Sequence, residues 1–80
     1  MDIDFEVNVK NNVRRILIEC RKEAGMTQTE VGKIVGKGKT AVANWEQGLT
    51  IPDIETLYRL AKYYGKTIGY MYGEEEEESK

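Results

Sequence analysis

Eighty residues with one cysteine, no histidine and a net charge of −2 from 12 basic and 14 acidic side chains describe one small domain with a small core. The lone Cys20 excludes an internal disulfide, and without histidine, cysteine pairs or clustered carboxylates ahead of the C-terminal glutamates, no metal, cofactor or enzymatic role is expected. No apolar run approaches the ~20 residues that span a bilayer, and Met-Asp-Ile-Asp is no secretion signal, so the expectation is a soluble cytoplasmic protein without membrane contact.

In residues 1–10, Ile3, Phe5, Val7 and Val9 alternate with Asp2, Asp4, Glu6, Asn8 and Lys10. A period of two predicts an N-terminal β-strand with one apolar face. A lone strand is unstable in water, so it needs a partner, either its symmetry mate in a dimer or a groove on the body. Strand exchange is the favoured reading, and it makes Ile3, Phe5 and Val7 candidate dimer-interface residues. A first helix is expected from Asn11 to Ala24, with Val13, Leu17 and Cys20 inward at i, i+4 and i+7 and Gly25 as its stop. On that stripe Cys20 reads as a buried reduced thiol, with a regulatory thiol as the alternative.

From Met26 to Gly48 the chain reads MTQTEVGKIVGKGKTAVANWEQG. Thr27 and Glu30 have the spacing of a capping box, and Val31, Ile34 and Val35 follow at helical spacing, so a second helix runs from about Thr27 to Val35. Gly36 suits the left-handed conformation that ends a helix in a tight turn. A third helix begins near Lys39, with Val42 and Trp45 inward and Lys39, Thr40, Ala43, Asn44 and Gln47 on the opposite side. That face offers an ammonium, a hydroxyl, a small gap and an amide, groups able to meet base edges and methyls. The bland alternative is an ordinary solvated helix face.

Leu49 to Pro52 reads as a loop and Asp53 as the cap of a fourth helix, whose Ile54, Leu57, Leu60, Ala61 and Tyr64 form an apolar stripe ending at Gly65. A short fifth helix runs from its cap Thr67 through Tyr72, presenting Ile68 and Met71 inward. The surplus aromatics, among them Tyr63, Tyr70 and Tyr72, suit either a dimer interface or the core. Residues 74–80 form an acidic tail, Glu74 to Glu78 being five consecutive carboxylates, and read as disordered. Between Lys10 and Lys66 the balance reverses: 11 basic against 6 acidic side chains, a net of +5. The body is thus basic enough to attract a polyanion.

The run T-Q-x-E-V-G, then G, then K-T-A-V-A-N-W-E-Q-G, then I-P-D resembles the phage-repressor-like helix-turn-helix family of lambda- and 434-type repressors and Cro proteins, over roughly Asn11 to Gly73. Two residues depart from its pattern: Gly32 replaces the usual alanine, at about 1 kcal/mol of helix propensity, and Gly38 replaces the usual Ser or Thr cap. The resemblance implies an all-α, five-helix DNA-binding domain over residues 11–73, preceded by the strand extension. It also implies an ion pair between Arg21 and Glu46, against the alternative of an exposed arginine. By donor and acceptor geometry Lys39, Thr40, Ala43 and Asn44 are then the candidate base readers, with Gln28, Lys37, Gln47 and Thr50 on phosphates. Expected partners are double-stranded DNA, at an inverted repeat, and a second copy of the chain. The alternative function is an antitoxin-like module that also binds a protein partner while regulating its own operon.

Overall fold

The computed structural model describes residues 3–74, with side chains from Val7 onward. The chain forms α1 (Ile3–Glu23), α2 (Gln28–Val35), α3 (Lys39–Gln47), α4 (Ile54–Tyr64) and α5 (Ile68–Met71). Among the described residues there is no strand.

Local chemistry accounts for most boundaries. The side chains of Thr27, Asp53 and Thr67 each accept a hydrogen bond from the backbone N–H three residues on, capping α2, α4 and α5. The core forms where α1 crosses α3 and α5, with α2 and α4 closing the other side. Val13, Ile16, Leu17 and Cys20 of α1 meet Val31 and Val35 of α2, Val42 and Trp45 of α3, Leu57, Leu60 and Ala61 of α4, and Met71 of α5. The C-terminal end of α5 is seated on α1, where the Asn12 side-chain amide donates to the Tyr72 carbonyl at 3.4 Å.

Two sequence expectations are corrected. The N-terminal β-strand is absent: Ile3 to Lys10 continue α1, which therefore begins eight residues before Asn11. A strand here has no partner strand among the described residues to satisfy its backbone, whereas extending a helix already nucleated adds one internal hydrogen bond per residue. The period-two pattern then wraps around the helix, so Val9 packs against the core while Val7 is 51% exposed. Strand exchange through Ile3, Phe5 and Val7 is lost with the strand; the side chains of Ile3 and Phe5 lie outside the described residues, as does the tail from residue 75. The second correction is Ile54, assigned to the inward stripe of α4 but 62% exposed, while Thr56 is buried in its place.

Candidate nucleic-acid interface

The segment from Thr27 to Gly48 is built to hold two helices at a fixed angle. The Glu30 N–H donates to Thr27 Oγ1 at 3.1 Å and the Thr27 N–H donates to Glu30 Oε1 at 2.9 Å, so the capping box at the start of α2 is complete. The N–H groups of Gln28 and Thr29 have no acceptor within the helix and carry the positive end of its dipole. At the other end Gly36 adopts φ 71°, ψ 31°, and the Lys37 N–H donates back to the Gly32 carbonyl at 2.8 Å. This turn is tight enough to explain Gly32. A Cβ there would lie 2.5 Å from the Lys37 carbonyl oxygen and 3.2 Å from that of Gly38. The glycine that weakens α2 is what lets the turn close against it.

On α3, Val42, Trp45 and Glu46 are buried, whereas Lys39, Thr40 and Gln47 are exposed and Ala43 and Asn44 half-exposed. Thr40, Ala43, Asn44 and Gln47 stand at i, i+3, i+4 and i+7, so they share one outward face. Lys39 neighbours Ala43 one turn away, and the exposed Lys37 precedes the helix in the turn. Gly38 caps α3 through its backbone alone, with no side-chain bond. Thr50 is exposed in the loop after α3, where its N–H donates to the Asn44 carbonyl at 3.5 Å.

Behind this face sits a three-helix polar contact. Arg21 Nε donates to Glu46 Oε2 at 2.7 Å and Nη2 donates to Glu46 Oε1 at 3.0 Å, a bidentate pair whose side chains are 17% and 7% exposed. The remaining Arg21 nitrogen, Nη1, donates to the Met26 carbonyl at 3.0 Å. The bond to Glu46 raises the Arg21 pKa above the ordinary guanidinium value. Gln28, assigned to a phosphate from the sequence, donates its Nε2 amide to Glu46 Oε1 at 3.0 Å. Sequence reasoning missed that bond; the only signal was a glutamine at the first position of α2.

Asp53 accepts from the Thr56 N–H at 2.8 Å, and this bonding, helped by the positive charge of Lys37, lowers its pKa below the usual carboxylate range. In the fold α4 packs against α2. Of the tyrosines considered for an interface, Tyr63 is 56% exposed, while Tyr70 and Tyr72 pack against the core. Among the described residues no cluster of His, Cys, Asp and Glu could hold a metal ion, and no helix is long and apolar enough to cross a membrane.

Comparison with known proteins matches residues 17–71 to the helix-turn-helix family model. The chain is 33% identical over 64 residues to the HTH-type transcriptional regulator ImmR of Bacillus subtilis (strain 168), covering 80% of this chain and 50% of that protein. It is 34% identical over 58 residues to the cryptic phage CTXphi transcriptional repressor RstR of Vibrio cholerae, covering 72% and 52%. The chain thus spans about half the length of these relatives. No solved structure matches it.

Proposed function

The chain belongs to the helix-turn-helix family of DNA-binding transcriptional regulators, and from that premise we propose that it is a repressor that binds an inverted-repeat operator as a homodimer, with α3 in the major groove. The observation that carries this reading is the outward face of α3. Thr40, Ala43 and Asn44, of groove-reading type, share it with Gln47, and Lys37 and Lys39 lie at its start, while Val42 and Trp45 anchor the opposite side in the core. The likeness to a phage repressor supports repression as the outcome.

In this arrangement α2 lies across the sugar-phosphate backbone, its free N–H groups at Gln28 and Thr29 meeting a phosphate. Asn44 has the donor and acceptor pair that fits adenine N6 and N7, Lys39 donates to guanine O6 and N7, Thr40 serves either, and Ala43 contacts a thymine methyl. Lys37, Gln47 and Thr50 hold phosphates, which sets register without reading sequence. Gln28 acts there through its backbone N–H and the second hydrogen of its amide, the first being held by Glu46.

Selection of bound duplexes from a random DNA library, followed by salt titration of binding, tests the proposal. The expected product is an inverted repeat whose affinity falls steeply as salt rises. Recovery of no preferred sequence, or binding insensitive to salt, would refute it.

A further inference from the structure

The five consecutive glutamates 74–78 take no part in the DNA-reading arrangement. The fold delivers them to a particular place. After α5 the Glu74 N–H donates to the Gly69 carbonyl at 2.9 Å, so the first glutamate is held by its backbone. Gly73, just before it, rests on Asn12 of α1. A Cβ on Gly73 would lie 2.5 Å from the Asn12 amide nitrogen, and that nitrogen donates to the Tyr72 carbonyl at 3.4 Å. Asn12 is also one wall of a surface groove of about 360 Å³ along α1, lined among the described residues by Asn11, Asn12, Arg14, Arg15, Ile18 and Glu19. The acidic run therefore starts at the edge of a groove that holds two guanidinium groups and two amides.

We infer that the acidic run 74–78 of the same chain docks in this groove in the free protein, and that DNA must displace it to bind. Charge selects that occupant. Arg15 meets Glu19 only through a 3.5 Å contact between side chains more than half exposed, and such pairs are worth little. Arg14 makes no hydrogen bond or ion pair through its side chain among the described residues. Length agrees with charge, since Asn11 to Glu19 covers roughly 12 Å of helix axis and five extended residues reach about 13 Å. Arg14 also connects the groove to the reading helix. Its Cδ lies 3.3 Å from where a Cβ on Gly48 would stand, so its stem lies on the end of α3, at the residue that follows Gln47 and precedes the loop of Thr50. Its fork of donors suits a carboxylate in the free domain and a phosphate in the complex. The competition rests on the proposed reading of α3 as a DNA-reading helix; the docking of the run does not.

Tethering makes a weak contact effective. A segment attached this closely stands at a local concentration on the order of 1 mM. A contact that dissociates at about 0.5 mM is then filled about two-thirds of the time and lowers DNA affinity about threefold. The test compares the full chain with a variant in which the glutamates 74–78 are all replaced by glutamine, which keeps the length and removes the charge. Without DNA, amide shifts measured by NMR should differ between the two at Asn11, Asn12, Arg14, Arg15 and Ile18, independently of protein concentration. On the selected operator the variant should bind about threefold more tightly at low salt, and the gain should shrink as salt rises. In an Arg14→Gln/Arg15→Gln background the gain should vanish, whereas a general repulsion between the run and DNA would persist there. Absent shifts, shifts centred on Lys37 and Lys39, shifts that grow with protein concentration, or an equal gain in the Arg14→Gln/Arg15→Gln background each overturn the docking; concentration dependence would place a second copy's glutamates in the groove. Groove shifts without a gain in affinity overturn the competition. Groove shifts in a chain that fails to bind DNA refute the DNA reading and leave the docking standing.

Discussion

Replacing Gly32 with alanine separates the two forces acting on α2. Helix propensity alone favours alanine there by about 1 kcal/mol, since glycine loses more backbone freedom on folding. The packing opposes it. An added Cβ would sit 2.5 Å from the Lys37 carbonyl oxygen, where real Cβ contacts lie beyond 3.0 Å, and the obstacle is backbone rather than the end of a flexible side chain. Relief requires the turn to back away by at least roughly 0.5 Å, and overpacking of this kind costs about 1 to 3 kcal/mol. The same movement stretches the Lys37 N–H bond to the Gly32 carbonyl, 2.8 Å in length, whose loss removes about a further 1 kcal/mol. The balance is a destabilisation of about 1 to 3 kcal/mol, which for a domain of this size lowers the thermal midpoint by about 5 to 15 °C. Circular dichroism melts of the two chains measure it. DNA affinity should fall as well, because the displaced turn carries Lys37 and the start of α3. A higher melting temperature for the Gly32→Ala chain would refute the reasoning and make propensity the dominant force.

Other perturbations address the reading face and the polar contact behind it. Asn44→Ala should cost about 1 to 3 kcal/mol on the selected operator and relax preference at one base pair, whereas Lys37→Ala should weaken all sequences alike and reduce the salt slope by about one; competition binding with single-base operator variants distinguishes them, and an unchanged ranking for Asn44→Ala would show that Asn44 does not read a base. Glu46→Gln leaves Arg21 without its carboxylate and should destabilise the fold by about 2 to 4 kcal/mol, somewhat less than for a fully buried pair because Arg21 keeps some solvent contact; urea unfolding measures it. Tyr64 has a buried hydroxyl with no hydrogen-bond partner among the described residues, and burial pushes its pKa up to about 12. The unfolded chain releases this proton near pH 10 and the folded chain only near pH 12, so stability is whole below pH 10 and is lost as pH rises through that window. Tyr64→Phe should therefore leave stability at neutral pH equal or higher and flatten the alkaline limb; a loss at pH 7 would mean that the hydroxyl has a partner.

What could be read directly from the residues was local. Thr27 and Glu30, Asp53 and Thr67 fix helix starts through contacts three residues long, and Gly36 and Gly48 end helices through their own backbone angles. The inward positions of Val42 and Trp45 follow from spacing against an outward polar face. The misreadings arose where the outcome depends on what lies across space. Alternation at residues 3 to 9 suits a strand only if a second strand is there to receive its hydrogen bonds, and periodicity carries no information about that. Ile54 satisfies the spacing of the α4 stripe, yet it is exposed while Thr56 and Leu57 on the same turn are buried, because the helix is rotated so that its first residue faces away from the core. Gly32 counted as a weakness of helix propensity because the carbonyl that excludes a side chain belongs to the turn and comes close only when the turn closes.

The contact among Arg21, Gln28 and Glu46 shows why position matters here more than bond energy. Each residue comes from a different helix: the end of α1, the start of α2 and the buried side of α3. Withdrawing a carboxylate and a guanidinium from water offsets much of their attraction, so the pair adds little net stability even though breaking it is costly. Its geometry is strict, however, because the guanidinium fork accepts the carboxylate in one plane and its third nitrogen is held by the Met26 carbonyl ahead of α2. That fixes the start of α2 relative to α3. In the proposed complex a helix N-terminus on the DNA backbone and a helix face in the groove must engage together, so a misplacement of one would release the other. In the proposed docking on DNA, Glu46, adjacent to Trp45 and two residues from Asn44, would therefore contribute to recognition by holding the angle at which Asn44 meets a base, without touching DNA itself.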